Sequence, residues 1–117
     1  MQQNLLSISE VQNATILTVV AEIDIANADA FREELDTVVV EGRNAIVSLA
    51  DCPYIDSSGL RVLIALARRV GDSLSLVVAP GTQIRRVFEI TSLTNSMRVF
   101  GSVDEALAVA RLTPTFG

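Results

Sequence analysis

The chain is expected to form an α/β domain built on a mixed, mostly parallel sheet of about five strands with four helices. Two observations set that class. Short β-rich runs alternate with longer segments of helical periodicity along the 117 residues, which implies parallel strands joined by crossover helices. The first two β-rich runs follow each other almost directly, which adds an antiparallel hairpin.

Leu5 to Val11 reads as the first strand and Ala14 to Val20 as the second, with Gln12-Asn13 as the turn. After Ala21-Glu22-Ile23-Asp24, a helix is predicted from about Ala28 to Val40, with Asn27 as its cap. Its apolar residues Phe31, Leu35, Val38 and Val39 keep helical spacing, and Gly42 is a natural stop. Ala45 to Leu49 is short, apolar and bounded, as a buried strand is. The next helix runs from Arg61 to Val70 and is closed by Gly71; Leu60, Leu63, Ile64 and Ala67 share one stripe. Ser73 to Ala79 is a further strand, ended by Pro80-Gly81. A helix around Ile84 to Ile90 and a short strand near Arg98 to Phe100 follow. The last helix opens with Ser102-Val103-Asp104-Glu105, which fits a capping box, and its apolar face is Val103, Ala106, Leu107 and Ala110.

One domain over residues 1–117 is the simplest reading of this length, with the last few residues open to disorder. No apolar run approaches the roughly 20 residues that span a membrane. No charged-then-apolar leader stands at the start, so a soluble, cytoplasmic protein is expected. Fourteen acids face nine bases, all of them arginine, and the net charge of −5 argues against nucleic acid as a partner. With no histidine, a Ser-His-Asp or Cys-His apparatus is excluded and most zinc sites are disfavoured. The single cysteine, Cys52, cannot close an internal disulfide and is expected to be a small buried thiol rather than a redox centre.

The richest segment is Tyr54-Ile55-Asp56-Ser57-Ser58-Gly59-Leu60, where a strand hands over to a helix. The first amides of a helix are unpaired and favour an anion. A serine there either caps the helix or carries a phosphate. Asp24 and Asp56 both lie in loops that lead from a strand towards a helix, where open α/β sheets form their sites. Either the two acids meet in space, or each simply serves its own helix start.

Three segments, Ala21-Glu22-Ile23-Asp24, Ile55 to Leu60 and Val87-Phe88-Glu89-Ile90-Thr91-Ser92-Leu93, together resemble the STAS domain, most closely the bacterial anti-sigma factor antagonists. The resemblance covers nearly the full chain and implies the STAS fold. It also implies that Ser57, directly after the aspartate, is a regulatory phosphorylation site, with Ser58 as the alternative. Asp24, Asp56, Gly59 and Arg61 form the expected phosphosite environment. An anti-sigma factor that is also a serine kinase would phosphorylate Ser57, and the modified antagonist would let go. A phosphatase would restore the form that binds the anti-sigma factor and frees a sigma factor. No catalytic residue, metal, cofactor, nucleic-acid contact or membrane insertion is implied.

Val62 and Leu66 lie on the turn-by-turn row that begins at Ser58; if exposed they form an apolar surface leading away from that site, and otherwise they are buried under neighbouring elements. With Glu22 and Ser58 they make up the expected partner interface. The chain departs from the family pattern at Ala21, Arg61 and Ser92, where glycine is common. Ala21 and Ser92 are mild changes unless the backbone needs a positive φ there. Arg61, four residues after Ser57, reaches a phosphate on that serine if both sit on the helix; the alternative is a solvated surface arginine.

Two other classes compete. A scaffold or accessory STAS domain of a stress-signalling complex or a transporter would keep the fold and leave Ser57 unmodified. A small nucleotide-binding or hydrolysing enzyme would use Asp24 and Asp56 to hold Mg²⁺. The chain lacks a glycine-rich phosphate loop with its lysine, which disfavours the enzyme.

Overall fold

The computed structural model describes residues 5–11 and 13–112. Strands β1 (Leu6–Val11) and β2 (Ala14–Val19) lead into helix α1 (Ala28–Val38), strand β3 (Ala45–Ser48) and helix α2 (Ser57–Val70). After a 3-10 turn over Gly71–Ser73 come strand β4 (Leu74–Val77), helices α3 (Gln83–Ile90) and α4 (Leu93–Ser96), strand β5 (Val99–Phe100) and helix α5 (Val103–Leu112). The predicted α/β order holds, with one helix more than expected. That helix, α4, is a single turn and too short to leave a periodic pattern. Gln12 of the predicted turn and the last few residues of the chain lie outside the described residues.

The strands stand in the sheet in chain order, β1-β2-β3-β4-β5. The β1–β2 pair is antiparallel, with Leu6 opposite Val19, and every later pair is parallel. All three crossovers step in the same direction, and crossovers of this kind are right-handed. They therefore carry α1, α2 and α3 to one face.

Alternation along the strands serves both faces. Leu17, Val19, Ala45, Val47, Leu74 and Leu76 enter the larger core with Phe31, Leu35, Leu63 and Phe88. Ile46 and Val77 point the other way, towards Ala106 and Ala110 of α5. Every residue of β3 and β4 is buried because helices cover both sides.

Half of the capping box predicted for α5 forms: the Glu105 amide donates to Ser102 Oγ at 3.2 Å, while the Glu105 carboxylate reaches one residue past the cap and accepts from the Gly101 amide at 3.1 Å. Asn27 occupies the cap position of α1 but makes no side-chain cap bond. Its amide group turns back into the preceding loop instead, and α1 ends at Val38 rather than Val40.

Candidate functional site

β2 and β3 part after Val19 and Ser48 and meet again at a parallel bridge between Ile23 and Ile55. The Ile23 amide donates to Tyr54 O at 2.9 Å, and the Asp56 amide donates to Ile23 O at 3.0 Å. Cys52 lies in the parted segment just before this bridge, 7 % exposed, with its Sγ 3.4 Å from Ala21 O and 3.3 Å from Tyr54 O. Burial pushes the Cys52 thiol above its ordinary pKa, outweighing the hydrogen bond to Tyr54 that pulls the other way. The expected buried thiol is what the fold contains.

The bridge brings Asp24 and Asp56 out side by side, each directly after a bridged isoleucine. Paired strands run about 4.8 Å apart, so the two acidic loops are neighbours. Each carboxylate nevertheless serves its own segment. Asp24 Oδ1 accepts from the Ala26 amide at 2.9 Å, and the Asp24 amide donates to Asn27 Oδ1 at 2.9 Å. Asn27 Nδ2 in turn donates to Glu22 O at 2.8 Å, so one loop is cross-braced around Asp24. Glu22 itself is exposed, beside the bridge. Among the described residues, no three His, Cys, Asp or Glu side chains gather as a metal-binding group.

Asp56 is the N-cap of α2. Its Oδ1 accepts from the Ser58 amide at 2.8 Å and from the Gly59 amide at 3.3 Å. Of the alternatives the sequence left open, the acid serves its own helix start: Ser57 and Ser58 are the first two residues of the helix, and neither hydroxyl makes the cap. Aspartate takes the position because its carboxylate also answers the positive end of the helix.

Gly59 makes the geometry possible. A Cβ there would lie 2.5 Å from Ile55 Cγ1 and 2.7 Å from Ile23 Cγ2, so any side chain would push α2 off the bridge.

The start of α2 divides two grooves. One, of about 520 Å³, lies towards α3 and is lined by Tyr54, Ser57, Leu60, Ile84 and Val87 among others. The other, of about 320 Å³, lies towards α1 and includes Ile25, Ala28, Arg32, Ser58, Arg61 and Ala65. Ser57 is exposed and Ser58 half-buried, and each opens to a different groove. Arg61 lines the Ser58 groove and not the Ser57 groove.

Leu66 is corrected as an interface residue: it is 3 % exposed and belongs to the core. Val62 is half-buried against the same core. An i, i+4 row drifts about 40° per step around a helix of 3.6 residues per turn. The row that leaves Ser58 on the surface has turned into the sheet by Leu66. The buried stripe of α2 is Leu60, Leu63, Leu66 and Val70, with Ile64 and Ala67 at its half-buried edges.

Two exposed apolar side chains at the site went unread in the sequence. Ile25 is 83 % exposed and Tyr54 53 % exposed, immediately beyond Asp24 and before Ile55. The available clue was an apolar residue on each loop at a place where the strand pattern had already ended. Of the two mild departures from the family pattern, Ser92 stands at φ 61°, in the left-handed region, and Ala21 does not.

The STAS domain family model matches residues 6–106. The anti-sigma-F factor antagonist RsfB of Mycobacterium tuberculosis is 29 % identical over 107 residues, covering 90 % of this chain and 88 % of that protein. The anti-sigma-B factor antagonist of Bacillus subtilis is 31 % identical over 85 residues, 70 % of this chain and 77 % of that one. Among solved structures, an anti-sigma factor antagonist from Mycobacterium paratuberculosis superposes with a TM-score of 0.81 at 22 % identity, over 91 % of this chain and 92 % of its own.

Proposed function

We propose that this chain, which belongs to the STAS domain family, is an anti-sigma factor antagonist whose partner binding is switched by phosphate on Ser57. The observation that carries the reading is the Ser57 hydroxyl: exposed, at the first residue of α2, and left out of the cap that Asp56 makes. The half-buried Ser58 is the poorer acceptor. The relatives named as anti-sigma-F and anti-sigma-B factor antagonists support the same role.

In this reading the partner is an anti-sigma factor that is also a serine kinase. The unmodified surface around Glu22, Ile25, Tyr54, Ser57 and Ser58 seats it, and a sigma factor is released. Transfer of the γ-phosphoryl group of ATP to Ser57 adds about −1.5 to −2 charges beside Asp56 and Asp24. The helix start accommodates a phosphate inside the folded domain. A partner packed there would have to strip water from a dianion lying next to two carboxylates, so the complex dissociates. A phosphatase resets the switch. The chain works by binding alone, in the cytoplasm, with no nucleic acid or membrane contact of its own.

The test is intact-mass and fragment mass spectrometry after incubation with ATP and the anti-sigma kinases of the source organism. One added phosphate on Ser57, absent in Ser57→Ala and accompanied by lost binding, is the expected result. Retained binding without modification by any kinase would instead favour a STAS scaffold in which Ser57 is only part of a helix start.

A further inference from the structure

We infer that the groove between α1 and α2 is a partner-specificity surface, in which Arg61 receives an acidic side chain carried by an amphipathic segment of the anti-sigma factor. The inference deepens the antagonist reading and rests on it. Three observations carry it.

The first is that Arg61 is exposed and its guanidinium makes no hydrogen bond or ion pair among the described residues, so its charge is unspent. The second is local sign. The groove is lined by two arginines, Arg32 and Arg61, and one acid, Asp29. Arg32 and Asp29 are 3.6 Å apart and well exposed, a weak pair that leaves Arg61 as the surplus. On a chain of net charge −5, this is a cationic spot in an acidic field. An acidic partner group is therefore attracted to this spot and repelled by the surface around it.

The third observation is shape. Ala28 and Ala65 keep the walls low, while Ile25 stands 83 % exposed at the mouth. Low walls beside a large apolar side chain fit a segment that presents an apolar face and an acid together. The groove also holds Ser58 and adjoins Ser57, so its occupant lies next to the site where the phosphate is placed.

The experiment is calorimetric titration of the full chain with an anti-sigma factor of the source organism, at about 50 and about 300 mM salt, between which the screening length falls about 2.5-fold. Arg61→Glu is expected to weaken binding at least about tenfold, and Arg61→Gln to flatten the salt dependence. Arg86→Glu is the control: Arg86 is also exposed and its guanidinium also lacks a partner among the described residues, but it lies on α3 outside both grooves. It should change affinity less than about threefold. Ile25→Ser, in a surface loop, should weaken binding without altering its salt dependence. Wild-type affinity retained by Arg61→Glu and by Ile25→Ser would overturn the inference while leaving the antagonist reading intact. No binding of any anti-sigma factor by the wild-type chain would overturn both.

Discussion

Gly59 lies so close to Ile55 that a methyl group on the glycine would meet the isoleucine Cγ1 at 2.5 Å. Ile55 is 6 % exposed and its bridge partner Ile23 fully buried, so neither can swing aside. Alanine is the better helix former by about 1 kcal/mol. Overpacking a tight core costs about 1–3 kcal/mol. The clash wins. Gly59→Ala should lower the melting temperature by several degrees and displace the start of α2, weakening partner binding as well; calorimetry with a binding assay reads both.

Ser92 is the only non-glycine residue at positive φ among the described residues. The left-handed conformation costs a side-chain-bearing residue about 1–2 kcal/mol; glycine escapes that cost but gives part of the gain back through its greater unfolded-state freedom. Ser92→Gly should therefore stabilise the fold by about 0.5–1 kcal/mol, read as a rise in the urea midpoint with an unchanged slope. A fall in the midpoint would mean that the serine hydroxyl compensates the strain.

Asp56 combines a cap and a charge, and two variants separate them. Asp56→Ala removes the acceptor for the Ser58 and Gly59 amides and should cost about 0.5–2 kcal/mol. Asp56→Asn keeps a good cap and loses the charge. It should retain most of the stability while softening the repulsion that phosphate on Ser57 exerts on a partner. The check is denaturation beside affinity measured for the phosphorylated form.

Cys52 should react slowly with a disulfide reagent in the native state and quickly after unfolding, because burial holds it as the thiol. The linkage runs from the same cause. A folded-state pKa above the unfolded one means the native state holds its proton longer, so stability falls as pH rises beyond about 8.5. In Cys52→Ala that alkaline loss should be smaller, and parallel alkaline melts of the two proteins decide it.

The fold was legible because two kinds of period coexist in the chain. Ala45 to Leu49 is apolar but for Ser48 and sits under helices on both sides, whereas α1 repeats Phe31 and Leu35 at helical spacing. What stayed hidden depends on placement that no local pattern records. Helix α2 is apolar over much of its surface, so its spacing alone did not say whether Leu66 or Ile64 turned inward; the drift of the i, i+4 row around the helix carried Leu66 into the core. The identity of the cap stayed open for a related reason. Aspartate and serine both serve as caps, and only the Ile23–Ile55 bridge determines which of them sits at the boundary.

A sheet whose spatial order copies its chain order has a kinetic meaning. No strand has to be inserted between two that are already paired, so each strand–helix unit can add to the open edge left by the one before. During synthesis, at about 5–20 residues per second, the template for each addition is already outside the ribosome. The acidic loops, the bridge and the two serines all lie between Glu22 and Gly59, so the candidate site can take shape early. Helix α5, made last, then closes the opposite face. Early translation errors should thus damage recognition, and late ones mainly durability.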